Sequence, residues 1–319
     1  MNYKKVVVAG GGILGSQIAF QSAYCGFDVT ILVRKEDAKR SVRAKLDKLR
    51  DTYIETIEEM KKDPNNWARG IASPDNFDPA DCILRANQAY DSIKLEDDQK
   101  KALMDADLLI ESVTENMDVK IALYRQIAAL LPEKTVIVTN SSTLLPSKLA
   151  MHTGRANKFL ALHFANSIWK NNTAEVMGHA GTDTKYFDEV VAFSEAIKMI
   201  PLPVKEEKSG YLLNSMLVPF LLSAMDLLAN GISDPESIDK AWTLGTGAPK
   251  GPFQIIDTVG LMTAKNIVEQ YQKVPSLLNP LLKKMMLPYN YKKMLELLNK
   301  YIDEGKLGKS TGEGFYKYK

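Results

Sequence analysis

The stretch Val6-Val-Val-Ala-Gly10-Gly11-Gly12-Ile-Leu-Gly15 carries the glycine spacing G-x-G-x-x-G between an apolar run and a helical pattern. Gly10 allows a tight turn, Gly12 lets the backbone approach a pyrophosphate, and Gly15 lets helix and strand pack closely. The N-terminus of the following helix offers N–H groups and a positive dipole to the phosphates. Because a strand, a helix and a second strand follow in Rossmann order, the stretch predicts dinucleotide binding. The predicted contacts are Gly10, Gly12, Ile13, Leu14 and Gly15.

The choice of cofactor depends on the end of the second predicted strand. A site for NAD usually has an Asp or Glu about 20 residues past the glycines, where it binds the ribose 2′-hydroxyl. Here Val33 occupies that position and Arg34 follows. A 2′-phosphate would meet no repulsion from Val33 and could pair with Arg34. Alternatively, Arg34 is a solvated charge and NAD still binds. We expect NAD or NADP, with Val33 and Arg34 favouring tolerance of NADP.

Length and composition indicate an ordinary globular protein. A chain of 319 residues suggests two domains, and 45% hydrophobic with 25% charged residues is usual for a soluble protein. The net charge of +2 provides no general attraction to nucleic acid or an anionic membrane. Only Cys25 and Cys82 are present, which fits a reducing cytosol better than a disulfide framework. We therefore expect a cytoplasmic protein without nucleic-acid or membrane partners.

No targeting segment is apparent ahead of the first apolar run, which begins within a few residues of Met1. The longest apolar stretch, Tyr211–Ala229, is long enough to consider as a membrane span. It contains Asn214, Pro219 and Asp226, and polar groups inside a bilayer are costly. We expect a buried helix of a second domain instead.

Hydrophobic patterning predicts an α/β fold with an N-terminal Rossmann-type, doubly wound and mostly parallel sheet, followed by an all-helical C-terminal domain. The long charged helix Lys35–Lys62 is expected to stand off the sheet as an arm. Pro201-Leu-Pro-Val-Lys-Glu-Glu-Lys208 is interpreted as the linker. The predicted domains are residues 1–203, binding NAD(P), and 204–319, for substrate and dimerisation. Predicted strands are Lys5–Ala9, Val29–Val33, Asp81–Ala86, Leu108–Glu111, Thr135–Thr139 and Phe159–His163. Predicted helices are Leu14–Tyr24, Lys35–Lys62, Asp118–Leu131 and Asp183–Met199.

The segment Arg34–Arg50 contains eight basic and three acidic residues. An exposed helix face is the simplest explanation of such a run. A site for a phosphate-rich tail, such as that of coenzyme A, is the alternative.

Polar side chains follow predicted strands at one edge of the sheet. His163 closes the run Phe159-Leu-Ala-Leu-His163, at the carboxyl edge where open α/β sheets bind ligands. Glu175 stands inside an apolar strand, and a buried carboxylate needs a partner that a nearby histidine would supply. Ser142 follows another predicted strand, and Asn214 is an isolated polar residue in the apolar helix predicted over Tyr211–Ala229. An imidazole with a pKa near neutrality suits proton exchange with an alcohol, and Glu175 would orient it.

Taken together, the motifs resemble the L-3-hydroxyacyl-CoA dehydrogenase family over essentially the whole chain. The matching pieces are Gly10–Gly15, Asp107–Asn116, Thr139–Leu144, Leu162-His163-Phe, Ala174-Glu175-Val, Gly210–Asn214, Gly251-Pro-Phe and Gly312–Tyr316. The resemblance implies an oxidoreductase that interconverts a short L-3-hydroxyacyl-CoA and its 3-keto form with NAD(P), and a homodimer. It implies catalytic roles for His163, Glu175, Ser142 and Asn214. It implies cofactor contacts from Glu115, Lys120, Ser142 and Asn166, and we also expect Arg34 and Asn140 to contact the cofactor.

Departures from the family pattern cluster near the expected pocket. Ala165-Asn166-Ser167 replaces an aromatic residue followed by Asn-Pro, and Ser310 stands where a lysine is common. Other segments, such as Gly245–Phe253, look closer to bacterial diketoreductases of the same superfamily. The alternative function is therefore reduction of CoA-free β-dicarbonyl compounds.

Two further interpretations are weighed against the dehydrogenase. Ser142, His163 and Glu175 could form a hydrolase triad, but the dinucleotide turn argues against it. An inactive structural or nucleotide-binding protein, as in a lens crystallin of the superfamily, is the non-enzymatic alternative. The cysteines and histidines show no metal-ligand spacing, so no metal is expected.

Overall fold

Apolar runs alternate with helices through residues 1–212 and form one eight-stranded sheet. The structure is a computed structural model that describes residues 3–63, 67–272 and 289–318. The strands are β1 (Lys5–Ala9), β2 (Asp28–Leu32), β3 (Lys94–Glu96), β4 (Leu108–Glu111), β5 (Val136–Thr139), β6 (Phe159–Phe164), β7 (Thr173–Met177) and β8 (Ile200–Val204). Their order is β3-β2-β1-β4-β5-β6-β7-β8, and every neighbouring pair is parallel except β6 with β7. The predicted doubly wound, mostly parallel sheet is confirmed.

Helices cover both faces of the sheet. They are α1 (Ile13–Tyr24), α2 (Ala38–Lys62), α3 (Pro79–Ser92), α4 (Gln99–Leu103), α5 (Met117–Ile127), α6 (Pro146–Ala150) and α7 (Thr184–Ala196). Alternate residues of β1 enter opposite cores: Val6 and Val8 pack with α1 to α3 and α7, whereas Val7 packs with α4 to α6. This alternation explains why the central strands are apolar on both faces.

The long helix α2 is packed rather than standing free of the sheet as an arm. Val42, Leu46, Tyr53 and Ile57 recur at helical spacing and are buried in the same core as α1 and α3. The charged residues lie on its other face. The apolar stripe, more than the charge content, therefore decides where this helix lies.

Two predicted elements are wrong. Asp81–Ala86, predicted as a strand, lies inside α3, where the Asp78 carboxylate caps the amides of Ala80 and Asp81. The Pro201–Lys208 linker instead begins with β8, which pairs in parallel with β7 at the edge of the sheet. Proline is compatible with an edge strand because the missing N–H would face away from the partner.

Residues 213–319 form a second, helical unit with its own core. It contains α8 (Leu213–Ala229), α9 (Pro235–Thr246), α10 (Pro252–Val259), α11 (Leu261–Gln272) and α12 (Tyr291–Asp303). The division falls after Leu212, a few residues beyond the predicted boundary at 203/204. The physical reason is that residues 208–212 contact the first unit, as described below. Among the described residues, no helix is both long and apolar enough to cross a membrane.

Two buried aspartates explain the glycine-rich motifs of the helical unit. Asp239 accepts hydrogen bonds from the amides of Phe253 and Gln254 at the start of α10. Asp257 accepts from the amides of Phe315 and Tyr316 and from the Tyr318 hydroxyl. Asp239 therefore links α9 to the start of α10, and Asp257 links α10 to the C-terminal segment. The Gly251-Pro-Phe and Gly312–Tyr316 motifs therefore have structural roles in this unit.

Candidate active site

The glycine turn between β1 and α1 has the geometry that a dinucleotide pyrophosphate requires. Gly10 has φ +114°, and a Cβ there would lie 2.5 Å from the Ser112 carbonyl oxygen. A Cβ on Gly15 would lie 2.1 Å from the Gly10 carbonyl oxygen, so close packing of α1 demands glycine. At Gly12, by contrast, a Cβ would meet no atom within 4 Å. This open space before the N-terminus of α1, with Ile13 and Leu14 in the first turn, fits a phosphate group.

Helix α2 covers the same turn, a contact that sequence reasoning missed. A Cβ on Gly11 would lie 2.3 Å from Cγ2 of Val42. The Lys45 ammonium donates a hydrogen bond to the Gly11 carbonyl at 3.2 Å. The only signal in the sequence is Gly11 itself, a glycine at a position where the G-x-G-x-x-G pattern allows any residue.

The end of β2 presents Val33 and Arg34 as the sequence suggested. Val33 is buried, its amide donates to the Glu96 carbonyl at 2.9 Å, and Arg34 is exposed. Several basic residues after it are engaged within the protein. Lys39 pairs with Glu36 and Asp97, Arg50 pairs with Asp47 and Asp51, and Arg43 donates to the carbonyls of Tyr90 and Ile93. These contacts favour the exposed helix face over a dedicated phosphate site.

His163 and Glu175 meet across the antiparallel pair β6–β7, where they are register partners. His163 Nδ1 lies 2.7 Å from Glu175 Oε2, and the two side chains are 8% and 4% exposed. The hydrogen bond orients Nδ1 toward Glu175, so Nε2 is the ring nitrogen that does not face the carboxylate. The other Glu175 oxygen, Oε1, accepts the amide of Leu212 at 2.8 Å.

Tyr211 packs against His163 and was not identified from the sequence. The two rings are stacked, with centroids 4.8 Å apart and planes inclined by 23°. Burial, reinforced by the negative charges of Glu115 and Glu175, raises the pKa of the Tyr211 hydroxyl above its usual range. The hydroxyl is therefore neutral at physiological pH. Its position in the Gly210–Asn214 motif was the available signal.

Ser142 lies in a turn after β5 that Glu115 organises. Oε1 of Glu115 accepts the Ser141 hydroxyl at 2.6 Å and the amides of Ser142 and Thr143 at 2.9 Å each. The Ser142 hydroxyl lies 3.3 Å from the same oxygen. Burial opposes ionisation of Glu115, but the hydrogen bonds and the Lys120 ammonium outweigh it and lower the pKa of this carboxyl.

Lys120 is buried beneath this turn, with 1% of its side chain exposed. Its ammonium lies 2.6 Å from Glu111 Oε1 and 3.3 Å from Glu115 Oε2. Glu111, at the end of β4, also accepts hydrogen bonds from the hydroxyls of Tyr124 and Thr139. In this structure Lys120 thus reaches the Ser142 turn through Glu115. Sequence reasoning missed Glu111, although a carboxylate in the apolar run Leu108-Leu-Ile-Glu111 was the same signal that identified Glu175.

The remaining predicted residues lie at separate places. Asn140 accepts the Phe164 amide at 3.1 Å through Oδ1, so it links the ends of β5 and β6. Asn166 is exposed in the loop after β6, and its carbonyl accepts the Asn171 side-chain amide. Asn214 lies in the first turn of α8, in the helical unit. Within the described ranges, no cluster of three or more His, Cys, Asp or Glu residues is arranged to hold a metal ion.

Comparisons with known proteins agree with this architecture. Residues 5–207 match the family model of the 3-hydroxyacyl-CoA dehydrogenase NAD-binding domain, and residues 210–318 match that of its C-terminal domain. The chain is 32% identical to the human mitochondrial hydroxyacyl-coenzyme A dehydrogenase, over 99% of this chain and 91% of the relative.

Solved structures add two informative neighbours. A diketoreductase, described as catalysing reactions of dicarbonyl compounds, is 45% identical, covers both chains fully and has a TM-score of 0.82. The (S)-3-hydroxybutyryl-CoA dehydrogenase of Ralstonia eutropha is 26% identical over both full chains, with a TM-score of 0.72. With both of its units matched by the two family models, the chain belongs to the 3-hydroxyacyl-CoA dehydrogenase family.

Proposed function

We propose that the protein interconverts a short-chain L-3-hydroxyacyl-CoA and the corresponding 3-ketoacyl-CoA with a nicotinamide dinucleotide. The observation that carries this proposal is the His163–Glu175 pair, 2.7 Å apart and buried, in the same unit as an open glycine turn. A general acid-base imidazole and a phosphate-binding turn are the two components that a secondary-alcohol dehydrogenase needs.

The residues would divide the work as follows. A bound dinucleotide supplies hydride exchange with the substrate carbon. Nε2 of His163 accepts the hydroxyl proton in the oxidative direction and returns it in the reductive direction. Glu175 holds Nδ1 and stabilises the imidazolium, much as the carboxylate of a catalytic triad does. Ser142 would donate a hydrogen bond to the reacting oxygen, and the resemblance assigns the same role to Asn214.

Cofactor binding would rest on the glycine turn and the residues around it. Gly10, Gly12 and Gly15 shape the turn, and the amides of Ile13 and Leu14 would donate hydrogen bonds to the phosphates. The resemblance adds Glu115, Lys120, Ser142 and Asn166, and Arg34 and Asn140 complete the proposed set. Lys120 would act by holding Glu115 rather than by reaching solvent, because its side chain is 1% exposed.

The direct test is acetoacetyl-CoA-dependent oxidation of NADH by the pure protein. Turnover that disappears in His163→Ala supports the proposal. Binding of NADH without turnover of any β-keto substrate would instead favour the structural or nucleotide-binding alternative.

The second candidate is reduction of CoA-free β-dicarbonyl compounds. It is favoured by the 45% identity with the diketoreductase over both full chains, since the same His–Glu chemistry would serve either substrate. A CoA-free β-keto ester should be assayed beside acetoacetyl-CoA under identical conditions. Turnover of the ester without turnover of acetoacetyl-CoA would favour this candidate.

We also propose that NADP is tolerated beside NAD. The support is that Val33 supplies no carboxylate at the ribose position and that Arg34 beside it is exposed. Arg34→Gln should raise KM for NADPH and leave KM for NADH unchanged. Lys48→Gln, an exposed position farther along α2, is the matched control. If Arg34→Gln and Lys48→Gln change KM for NADPH equally, Arg34 has no specific role in binding NADPH.

Finally, we propose a cytoplasmic homodimer. Apolar side chains are exposed on the helical unit, among them Met216 at 67% and Leu244 at 82%. Exposed apolar side chains favour association where they cluster on one face, which is the arrangement we propose for this unit. Light scattering coupled to gel filtration would measure the mass directly, and a monomer of 35.5 kDa would contradict the proposal.

A further inference from the structure

A short strap, residues Lys208–Leu212, binds the catalytic pair from one side. The Lys208 amide lies 3.2 Å from the Met177 sulfur, and the Ser209 hydroxyl donates to the Thr143 carbonyl at 2.8 Å. The Leu212 amide donates to Glu175 Oε1 at 2.8 Å. The strap therefore touches both β7 and the turn that carries Ser142.

The backbone of the strap is in an unusual conformation. Gly210 has φ 81° and Tyr211 has φ 52°, so two consecutive residues are left-handed. Glycine adopts this conformation freely, whereas a bulky aromatic residue does so at a cost in free energy. Such a conformation persists where the surroundings hold it, and it is often associated with function.

The left-handed turn has two consequences for the catalytic pair. It lays the Tyr211 ring flat on the His163 imidazole, with centroids 4.8 Å apart. It also aims the next amide, that of Leu212, at the Glu175 carboxylate. A glycine at position 211 would satisfy the backbone but supply no ring. The backbone turn therefore does not explain why residue 211 is aromatic, whereas the stack on His163 does.

We propose that Tyr211 is a positioning residue for His163. Its ring closes one face of the imidazole while Glu175 holds Nδ1, and the two contacts together fix the plane in which Nε2 meets the reacting oxygen. The contact requires an aromatic ring, and the hydroxyl is not needed for it. The kinetic part of this inference rests on the proposed function, whereas the geometric part does not.

Three variants separate the ring from the backbone. Tyr211→Phe keeps the ring and should retain most of kcat. Tyr211→Leu removes the ring, and kcat should fall about 10- to 100-fold, the range expected for a misplaced catalytic group. Tyr211→Gly removes the ring and relieves the backbone, so it controls for a folding defect in the leucine variant. The dissociation constant for NADH should stay within about twofold in all three, since a positioning role affects the chemical step.

Proton NMR provides a readout that does not depend on activity. The chain has only three histidines, and the His163 ring signal can be identified with a His163→Gln variant. In the leucine and glycine variants this signal should lose the shift caused by the stacked ring. In the phenylalanine variant it should keep that shift.

Any of three results would overturn the inference. One is wild-type kcat in the leucine or glycine variant, and another is a His163 signal that stays unchanged in both. An equal loss of kcat in the phenylalanine and leucine variants would likewise contradict a role for the ring. Inactivity of the wild-type protein on every substrate would overturn the proposed function, and the NMR comparison would still decide whether Tyr211 positions His163.

Discussion

At the scale of single residues, the site depends on charged groups whose partners are fixed inside the protein. Glu175 uses one oxygen for His163 and the other for a backbone amide. Glu111 and Lys120 form an ion pair that is 0% and 1% exposed. Buried charges are tolerated only when paired and hydrogen-bonded, so these contacts limit how far the side chains can move.

His163→Ala and Glu175→Ala should each abolish turnover and leave dinucleotide binding intact. General acid-base catalysis contributes about 100- to 10 000-fold, so kcat should fall by that order. The glycine turn belongs to other elements, so the dissociation constant for NADH, measured by fluorescence, should change little. His152→Ala is the matched control because His152 lies outside the β6–β7 pair. Full activity in either of the first two variants would refute the acid-base assignment.

Glu115 makes the stability of the Ser142 turn dependent on pH. Despite burial, its hydrogen bonds and Lys120 hold its pKa below the ordinary value of 4.5. A carboxyl with a depressed pKa stabilises the fold above its unfolded-state pKa, and the contribution disappears as pH falls through the folded-state pKa. Glu115→Gln should therefore lower the free energy of unfolding at neutral pH. The difference from wild type should shrink below pH 4.5.

Urea unfolding of both proteins across this pH range measures that difference. Glu55→Gln is the control, because Glu55 is an exposed carboxylate on α2, outside the Ser142 turn. A difference between wild type and Glu115→Gln that stays constant with pH would show that the Glu115 charge is not responsible.

The pairing of His163 and Glu175 could be predicted because both stand out in apolar runs and one needs the other. The stack of Tyr211 on His163 could not. It depends on a left-handed backbone at a non-glycine residue, and nothing in the local sequence forces an aromatic residue into that conformation. The residue types in a sequence indicate which chemistry is available. A contact that depends on an unusual backbone conformation, such as the stack of Tyr211 on His163, is visible only in the structure.

At the scale of elements, hydrophobic patterning predicted the strands that are buried on both faces and failed at the periphery. β1 and β4 have the predicted bounds. Asp81–Ala86 was misassigned because a short apolar run does not distinguish a strand from a buried helix. Its capping residue, Asp78, was the missed cue. The edge strand β8 was predicted as part of a linker because it contains two prolines. Its pairing with β7 is visible only in the structure.

The packing of α2 on the glycine turn gives a prediction at this scale. Gly11→Ala would place a Cβ 2.3 Å from Val42 Cγ2, so the helix or the turn must shift. Overpacking of this kind costs about 1–3 kcal/mol, so both the free energy of unfolding and the affinity for NADH should fall. The double variant Gly11→Ala/Val42→Ala removes the clashing methyl groups and should recover most of the affinity.

Gly12→Ala is the matched comparison, since its Cβ would meet no protein atom within 4 Å. It should weaken NADH binding by occupying the phosphate space and leave the unfolding free energy nearly unchanged. If the double variant binds NADH no better than Gly11→Ala, the Val42 contact is not what excludes a side chain at Gly11.

At the scale of the whole molecule, each of the two units has its own hydrophobic core and its own buried hydrogen bonds. The His163–Glu175 pair, the glycine turn and the strap all belong to the first unit. Asp239 and Asp257 organise the second unit alone. Effects of substitutions at sites that share no partners usually add, so each unit should respond to its own variants.

Asp257→Asn tests this separation. The buried carboxylate accepts two backbone amides and the Tyr318 hydroxyl, and a neutral side chain offers a weaker acceptor and one oxygen fewer. Hydrogen bonds to a charged group contribute about 1.5–3 kcal/mol, so the helical unit should unfold at a lower temperature in calorimetry. Tyr318→Phe removes only one of these bonds and should cost about 1.5 kcal/mol, the lower end of that range. The affinity of both variants for NADH should match wild type, since the glycine turn lies in the other unit. A parallel loss of NADH affinity would show that the C-terminal segment also supports the dinucleotide site.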